Sequence, residues 1–529
     1  MFRRTWKPIA ATAVFIGAPA YLYHRYSTNK LKNQSFNLSV REQGPDGQPT
    51  MVTRSFPLQS KEQVESRIRE FATSETAATS EGLSWKYTTA RLSSNDPIED
   101  ANAQAVVTQK ATPLSPAGNL MFFAVMDGHG GWQTSQLLSK VLIPAVALEL
   151  SALKDASTTV PHKSSGILSS VKSLLSSKSE ASTPVQADSS QITQAIQRAF
   201  SNLDAEIVNA PLRFLAANIA NTQIAKGLVP DLSQHPMAMA SMLPAMSGSC
   251  AILGLIDTAH RDLYVACTGD SRAVAGVWEE TDDGKGRWHV EVLSEDQTGR
   301  NPNELKRMQS EHPAEEANDV IRRGRVLGGL EPTRAFGDAR YKWPREVQAV
   351  LNEAFLVGNG RSMRTIPSLL KTPPYVTATP VVTHRKLSIP GSELGSEAQP
   401  KSKFRFLVLA TDGLWDQLSS EEVVSLVGGH LQGLKGNVTK SDLPSLVPVA
   451  EGSKTVEGKE KRDKADGGSW SFVDDNLSAH LIRNAFGGGD ESKLRRLLSI
   501  PSPHSRRYRD DVTVTVVWWE ESTSVKAKL

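Results

Sequence analysis

Three short acidic stretches carry residue types and spacings that could do chemistry. Residues 121–131 read MFFAVMDGHGG, an apolar run that ends in Asp127, Gly128 and His129 followed by two further glycines. Residues 404–416, FRFLVLATDGLWD, form a second apolar run ending in Asp412-Gly413, and Arg509-Asp510-Asp511 precedes a third, VTVTVVWW. A buried strand that stops at a carboxylate sets an anionic oxygen at the rim of a sheet, where a neighbouring glycine lets backbone approach a ligand closely. Asp-Gly by itself is also an ordinary turn dipeptide. Recurrence at three strand ends far apart in the chain is what makes it a candidate site. Carboxylates gathered in this way are the oxygen donors that a hard divalent cation requires.

Elements must exist to hold these acids in place. From Ser247 the chain reads SGSCAILGLID, DLYVACTGDSR, AVAGVWEE and RWHVEVL, four strand-like runs, the last two joined by the hairpin-type turn DDGKG at 282–286. Strands joined in order by tight turns make antiparallel sheet. That order does not describe a doubly wound nucleotide fold, and neither a P-loop nor a dinucleotide glycine fingerprint occurs. A further strand is expected at 105–109, just after Glu99 and Asp100. The spacing predicts helices over 132–150, with Leu137, Leu138, Val141 and Leu142 on one face, and over 192–207, with Ile192, Ile196, Phe200, Leu203 and Ile207. Shorter helices are expected at 303–310, after the capping box Ser419 to Glu422, and around 477–486. The Met-rich segment 236–246 reads as loop or cover.

Acids and bases nearly cancel over the 529 residues, leaving a formal charge of +3, which does not describe a nucleic-acid binder. The two cysteines, Cys250 and Cys267, lie inside strand-like runs and are expected to be buried, with no disulfide framework and no zinc spacing. Residues 1–41 contain no acid and several Arg and Lys, the composition of a mitochondrial presequence. Within it, 8–23 is an uncharged, largely apolar run, short against the roughly 20 residues that span a bilayer, and reads as a single inner-membrane anchor, as a cleaved secretory signal or as part of the presequence. Residues 42–82 read as a linker, and 83–520 as one domain interrupted by polar insertions at about 151–190, 386–403 and 428–472. The tail 521–529 ends in Ala527-Lys528-Leu529, similar to the tripeptide read by the peroxisomal import receptor.

The ordered set PIED, FFAVMDGHGG, SGSCA, LYVACTGDSRAV, TRAFGDARYKW, VLATDGLWD and RDDVTVTVV resembles the type 2C metal-dependent protein serine/threonine phosphatases over roughly 83–520. NDPIED, LEPTRAFGDARYKW, PPYVTATPVVTHRKL and RDDVTVTVV are most similar to the mitochondrial pyruvate dehydrogenase phosphatase branch. The resemblance implies an α+β fold, a sandwich of two antiparallel β-sheets flanked by helices. It also implies hydrolysis of phosphoserine or phosphothreonine in a phosphoprotein by direct attack of a water shared between two Mg or Mn ions, with a third ion in some members. By position, Asp127 bridges the two ions and the Gly128 carbonyl is a further ligand. Asp412 and Asp510 each hold one ion, Glu99 and Asp100 act partly through water, and Asp270 and Asp416 match the additional metal site. His129 is the general acid for the leaving alkoxide. One position departs from the pattern: where many members carry a phosphate-binding arginine, four residues before Glu99, this chain has Asn95. Arg91 is then a candidate for that grip, Asp511 stands where many members have Asn, and Arg334 is expected either to serve the site or to pair with an acid and hold its loop. A catalytically silent, phosphatase-like regulatory protein is the alternative from another class; intact Asp127, His129, Asp412 and Asp510 favour the enzyme.

Overall fold

A computed structural model describes residues 35–44, 48–80, 82–111, 116–155, 188–219, 228–281, 286–390, 402–450 and 467–521. Residues 1–34 of the expected leader, with the anchor run 8–23, the turn at 282–285, the middle of the 151–190 and 386–403 insertions and the tail tripeptide lie outside them, whereas 35–41, read as the end of the leader, belong to the strand Ser35–Gln43.

Eleven strands build two antiparallel sheets: β1 (Thr73–Ser80), β2 (Leu83–Leu92), β3 (Ala101–Gln109), β4 (Gly118–His129), β5 (Gly248–Asp257), β6 (Asp262–Thr268), β7 (Arg272–Glu280), β8 (Gly286–Val292), β9 (Val381–Lys386), β10 (Ser402–Ala410) and β11 (Val512–Glu521). One sheet has the order β8-β7-β10-β11-β2-β1 and the other β9-β6-β5-β4-β3, with Phe336–Gly337 pairing alongside β5. The α+β sandwich expected from the sequence is therefore present.

The continuous apolar run of β4 reflects burial on both faces. Met121, Phe123 and Val125 join Trp85, Ile252, Leu407 and Val517 between the sheets. Phe122, Ala124 and Met126 face the helices Gln133–Asp155 and Ser189–Asn218 through Leu138, Leu142, Phe200 and Leu203. Phe122 and Phe123 are both fully buried, a contribution of about 2–3 kcal/mol each. A register slip of one residue would exchange the two faces of the strand, so the position of Asp127 at its end is fixed by this packing. The far side of the other sheet packs in the same way against the helices Ser420–Leu431 and Leu477–Phe486, giving four layers.

Three stretches differ from expectation. Residues 42–82, read as a linker, carry the second strand of a hairpin (Ser35–Gln43 with Pro49–Pro57), the helix Lys61–Arg69 and the edge strand β1. That helix is closed by a capping box from Ser60 to Gln63 and buries Val64 and Ile68, one turn apart. Within 428–472, read as a surface insertion, the short strands Gly436–Thr439 and Ser469–Phe472 pair, and Leu443, Val447, Trp470 and Phe472 are buried in the core. The Met-rich 236–246 is a helix, Pro236–Met246, with Ala238, Met242 and Ala245 buried.

Candidate metal centre

Four strand ends meet at one edge of the sandwich. β4 runs out through Asp127 to His129, β6 is followed by Gly269 and Asp270, β10 by Thr411 and Asp412, and β11 is preceded by Asp510 and Asp511. Pairing of β4 with β5 sets Asp127 opposite Cys250, whose thiol lies 3.2 Å from Asp270 Oδ1. The Asp412 amide donates to Asp127 Oδ2 at 3.4 Å. Asp127, Asp270 and Asp412 each offer a carboxylate oxygen, and these atoms lie within 4.8 Å of one another. Carboxylate oxygens gathered this closely are a donor set that suits Mg or Mn.

The other sequence candidates surround this group without joining it. Glu99 packs its backbone on Gly128: a side chain begun at Gly128 would stand 2.1 Å from the Glu99 carbonyl oxygen, so only glycine allows the approach. Burial raises the Glu99 pKa, Asp511 adds to the rise, and the Gly131 amide opposes it. Asp100 is buried beneath the edge and accepts from Thr411 at 3.0 Å and Thr513 at 2.8 Å, tying the end of β10 to the start of β11. Burial, reinforced by Asp511, pushes Asp100 well above the usual carboxylate range. Asp510 pairs with Arg506, and its Cβ lies 3.2 Å from where a side chain on Gly413 would begin, beside Asp412. Asp511 is buried and accepts from the amides of Ser94 at 2.5 Å, Asn95 at 2.9 Å and Glu99 at 2.8 Å, which makes it the anchor of the 94–99 loop. Asp416 caps the turn that Asp412 opens, its amide donating to the Asp412 carbonyl at 2.8 Å. Arg91 stacks its guanidinium 4.8 Å from the Phe71 ring centroid. Arg334 takes the structural option, pairing with Glu304 at 2.7 Å and donating to the Thr379 carbonyl at 2.7 Å.

Two residues at this edge were not singled out from the sequence. His129 Nε2 lies 2.6 Å from Asp338 Oδ2. Burial works against charging the imidazole, but Asp338 outweighs it, with help from Asp270 and Glu99, and the His129 pKa stands above its ordinary value. Asp338 adopts a left-handed backbone conformation, φ 49°, in which its amide donates to the Ser247 carbonyl at 3.0 Å. Gly248 makes room for the pair: a side chain there would begin 2.1 Å from His129 Nε2 and 2.2 Å from Asp338 Oδ2. The signal for Asp338 was its place after glycine in FGD, since Asp and Asn tolerate the left-handed region better than most residues. Gly248 gave no signal of its own.

A two-sheet sandwich with acids gathered at one edge is the architecture of a metal-dependent phosphatase, and the chain belongs to the protein phosphatase 2C family. The family model for protein phosphatase 2C matches residues 180–439. The chain is 34% identical to a protein phosphatase 2C homolog of Schizosaccharomyces pombe, over 98% of this chain and 97% of that one. It is also 34% identical to the mitochondrial pyruvate dehydrogenase (acetyl-transferring) phosphatase 1 of Saccharomyces cerevisiae, covering 94% of this chain and 80% of that one. The Homo sapiens protein of the same name is 32% identical over 81% of this chain and 76% of its own. The chain is thus a protein serine/threonine phosphatase, a hydrolase of phosphoric monoesters.

Proposed function

We propose that this phosphatase works in mitochondria on phosphorylated pyruvate dehydrogenase, with Mg or Mn ions held by Asp127, Asp270 and Asp412. The observation that carries the metal assignment is the approach of those three carboxylates to within 4.8 Å. The substrate and the compartment rest on the similarity to mitochondrial pyruvate dehydrogenase phosphatases and on the basic, acid-free leader. The Gly128 carbonyl and Asp510 would add donors for a second ion, Glu99 and Asp100 would act through water, and Asp416, one turn on from Asp412, would serve a third. Bound there, the ions supply a water nucleophile at neutral pH and offset the charge of the phosphoryl oxygens.

The protein's own groups supply the rest. His129, oriented by Asp338, which also favours its charged form, gives its proton to the seryl or threonyl oxygen as that oxygen leaves. Asp100 keeps the ends of β10 and β11 together through the two threonine hydroxyls, and Asp511 holds the loop that carries Glu99.

Hydrolysis of phosphorylated pyruvate dehydrogenase and of p-nitrophenyl phosphate, each with and without Mn, tests this directly. Activity on both is expected, abolished by a chelator and by Asp127→Asn. Mn-independent turnover contradicts the metal reading, and turnover of the small ester without the phosphoprotein contradicts the substrate. Tagging either end of the chain, with protease protection of isolated organelles, tests whether residues 8–23 tether it to the inner membrane, on which side, and whether Ala527-Lys528-Leu529 sends a share to peroxisomes.

A further inference from the structure

A phosphate monoester entering this edge brings two more negative charges into a group of carboxylates, so a side-chain cation beside the proposed ions would strengthen its binding. Asn95 does not provide the grip, because its amide nitrogen already donates to Asp511 Oδ2 at 3.0 Å and to Glu99 Oε2 at 3.4 Å, which uses both hydrogens. Neighbouring arginines are committed elsewhere. Arg67 and Arg509 both donate to the Ser93 carbonyl, and Arg91 lies on Phe71.

Arg506 is placed differently. It sits on a short turn, Ser505–Arg507, fastened to the 94–99 loop by the buried Ser505 hydroxyl, which donates to the Ser94 carbonyl at 2.6 Å. Its guanidinium pairs with Asp510, its charge also acts on Glu99, and its side chain is 46% exposed. Among the described residues it is the arginine ion-paired with one of the edge acids and open to solvent on its other side.

We propose that Arg506 is the phosphate-binding residue of this enzyme: its guanidinium rests on Asp510 here and passes to the phosphoryl oxygens once Asp510 is engaged by a cation. The fork of a guanidinium matches two phosphate oxygens at once, and no backbone movement is required for a long side chain to exchange one oxyanion for another. Arg364 is the competing cation, since its Nη1 lies 3.8 Å from where a side chain on Gly130 would begin. It adjoins the backbone of Gly130, whereas Arg506 is paired with Asp510 itself. The assignment rests on the phosphatase reading above and deepens it.

The test is calorimetric titration of inorganic phosphate into the Mn-loaded full chain, beside KM for p-nitrophenyl phosphate, for wild type, Arg506→Ala, Arg506→Lys, Arg364→Ala and the exposed neighbour Arg507→Ala. Arg506→Ala is expected to weaken phosphate binding and raise KM by about 10- to 100-fold, the loss of a charge-assisted pair, with little change in kcat. Arg506→Lys, which keeps the charge without the fork, is expected to lose several-fold, and Arg507→Ala to match wild type. Wild-type phosphate affinity in both Arg506 variants overturns the proposal, even where the Mn requirement shifts, and so does a loss confined to Arg364→Ala. A wild type that binds phosphate but lacks Mn-dependent turnover would instead remove the phosphatase reading, while the titration still judges Arg506.

Discussion

Two clusters of charge in this molecule are built on opposite plans. At the edge of the sandwich, Asp127, Asp270 and Asp412 bring carboxylate oxygens within 4.8 Å of one another. In the helix Pro302–Glu311, Glu304 is buried too, but it meets Arg334 at 2.7 Å, Arg307 at 2.8 Å and the Thr333 hydroxyl at 2.6 Å. Burial pushes Glu304 upward, yet the two guanidinium groups prevail and hold it down to about 2. A carboxylate answered by cations within the chain serves architecture, here pinning the start of the 333–338 loop that ends at Asp338, the partner of His129. Carboxylates gathered against one another at a sheet edge are the place that the proposal above gives to an ion from outside.

The sharpest way to break this contrast is to remove a charge from each cluster. Asp127→Asn is expected to lower the rate by about 10³-fold, equivalent to about 4 kcal/mol of barrier, while the metal-free protein melts no lower than wild type because a repulsion is relieved. Steady-state kinetics and a thermal melt without metal check both halves. Glu304→Gln is expected to do the reverse: it leaves Arg334 without its counter-charge and Arg307 with Glu311 alone, costs about 3 kcal/mol of stability, and leaves Mn binding intact. Urea unfolding beside a Mn titration would show it.

Acid sharpens the same comparison. Glu304 has a folded-state pKa below its unfolded value of 4.5, so its stabilisation is complete above pH 4.5 and drains away as pH falls toward about 2. The loss is on the order of 3 kcal/mol, and the difference in unfolding free energy between wild type and Glu304→Gln should shrink across that window. A gap that stays constant from pH 5 to pH 3 would deny the ion pair its role. The smallest expected effect is at Gly248→Ala. The added methyl displaces the His129–Asp338 pair and should lower kcat by about 10- to 100-fold, with Mn affinity kept.

Much of this was legible in the sequence, for a physical reason. Strands buried on both faces read as uninterrupted apolar runs, and the residue that ends each run marks the sheet edge, so Asp127, Asp412 and Asp510 could be found without coordinates. Asp510 and Asp511 show the limit. Adjacent in sequence, one pairs with the half-exposed Arg506 and the other is buried as the acceptor of three loop amides, a division that depends on which way each side chain turns. Asp338 and Gly248 were missed because their roles exist only across a contact between residues 209 apart in the case of His129 and Asp338. The segment 42–82 was read as linker because its second hairpin strand exposes every residue except Phe56, leaving no alternation to detect. Its helix was readable, since Ser60 to Gln63 spells a capping box ahead of Val64 and Ile68. The ribbon within 428–472 buries few residues, Trp470 and Phe472 among them, beside a long polar stretch that dilutes the pattern.

The most direct test of the acidic edge as a metal centre is equilibrium Mn binding to the metal-free protein, followed by calorimetry or by the loss of the free-ion paramagnetic resonance signal. Wild type and Glu304→Gln should bind Mn alike, and Asp127→Asn and Asp412→Asn should each weaken it at least tenfold. Undiminished Mn binding in both aspartate variants would contradict the assignment.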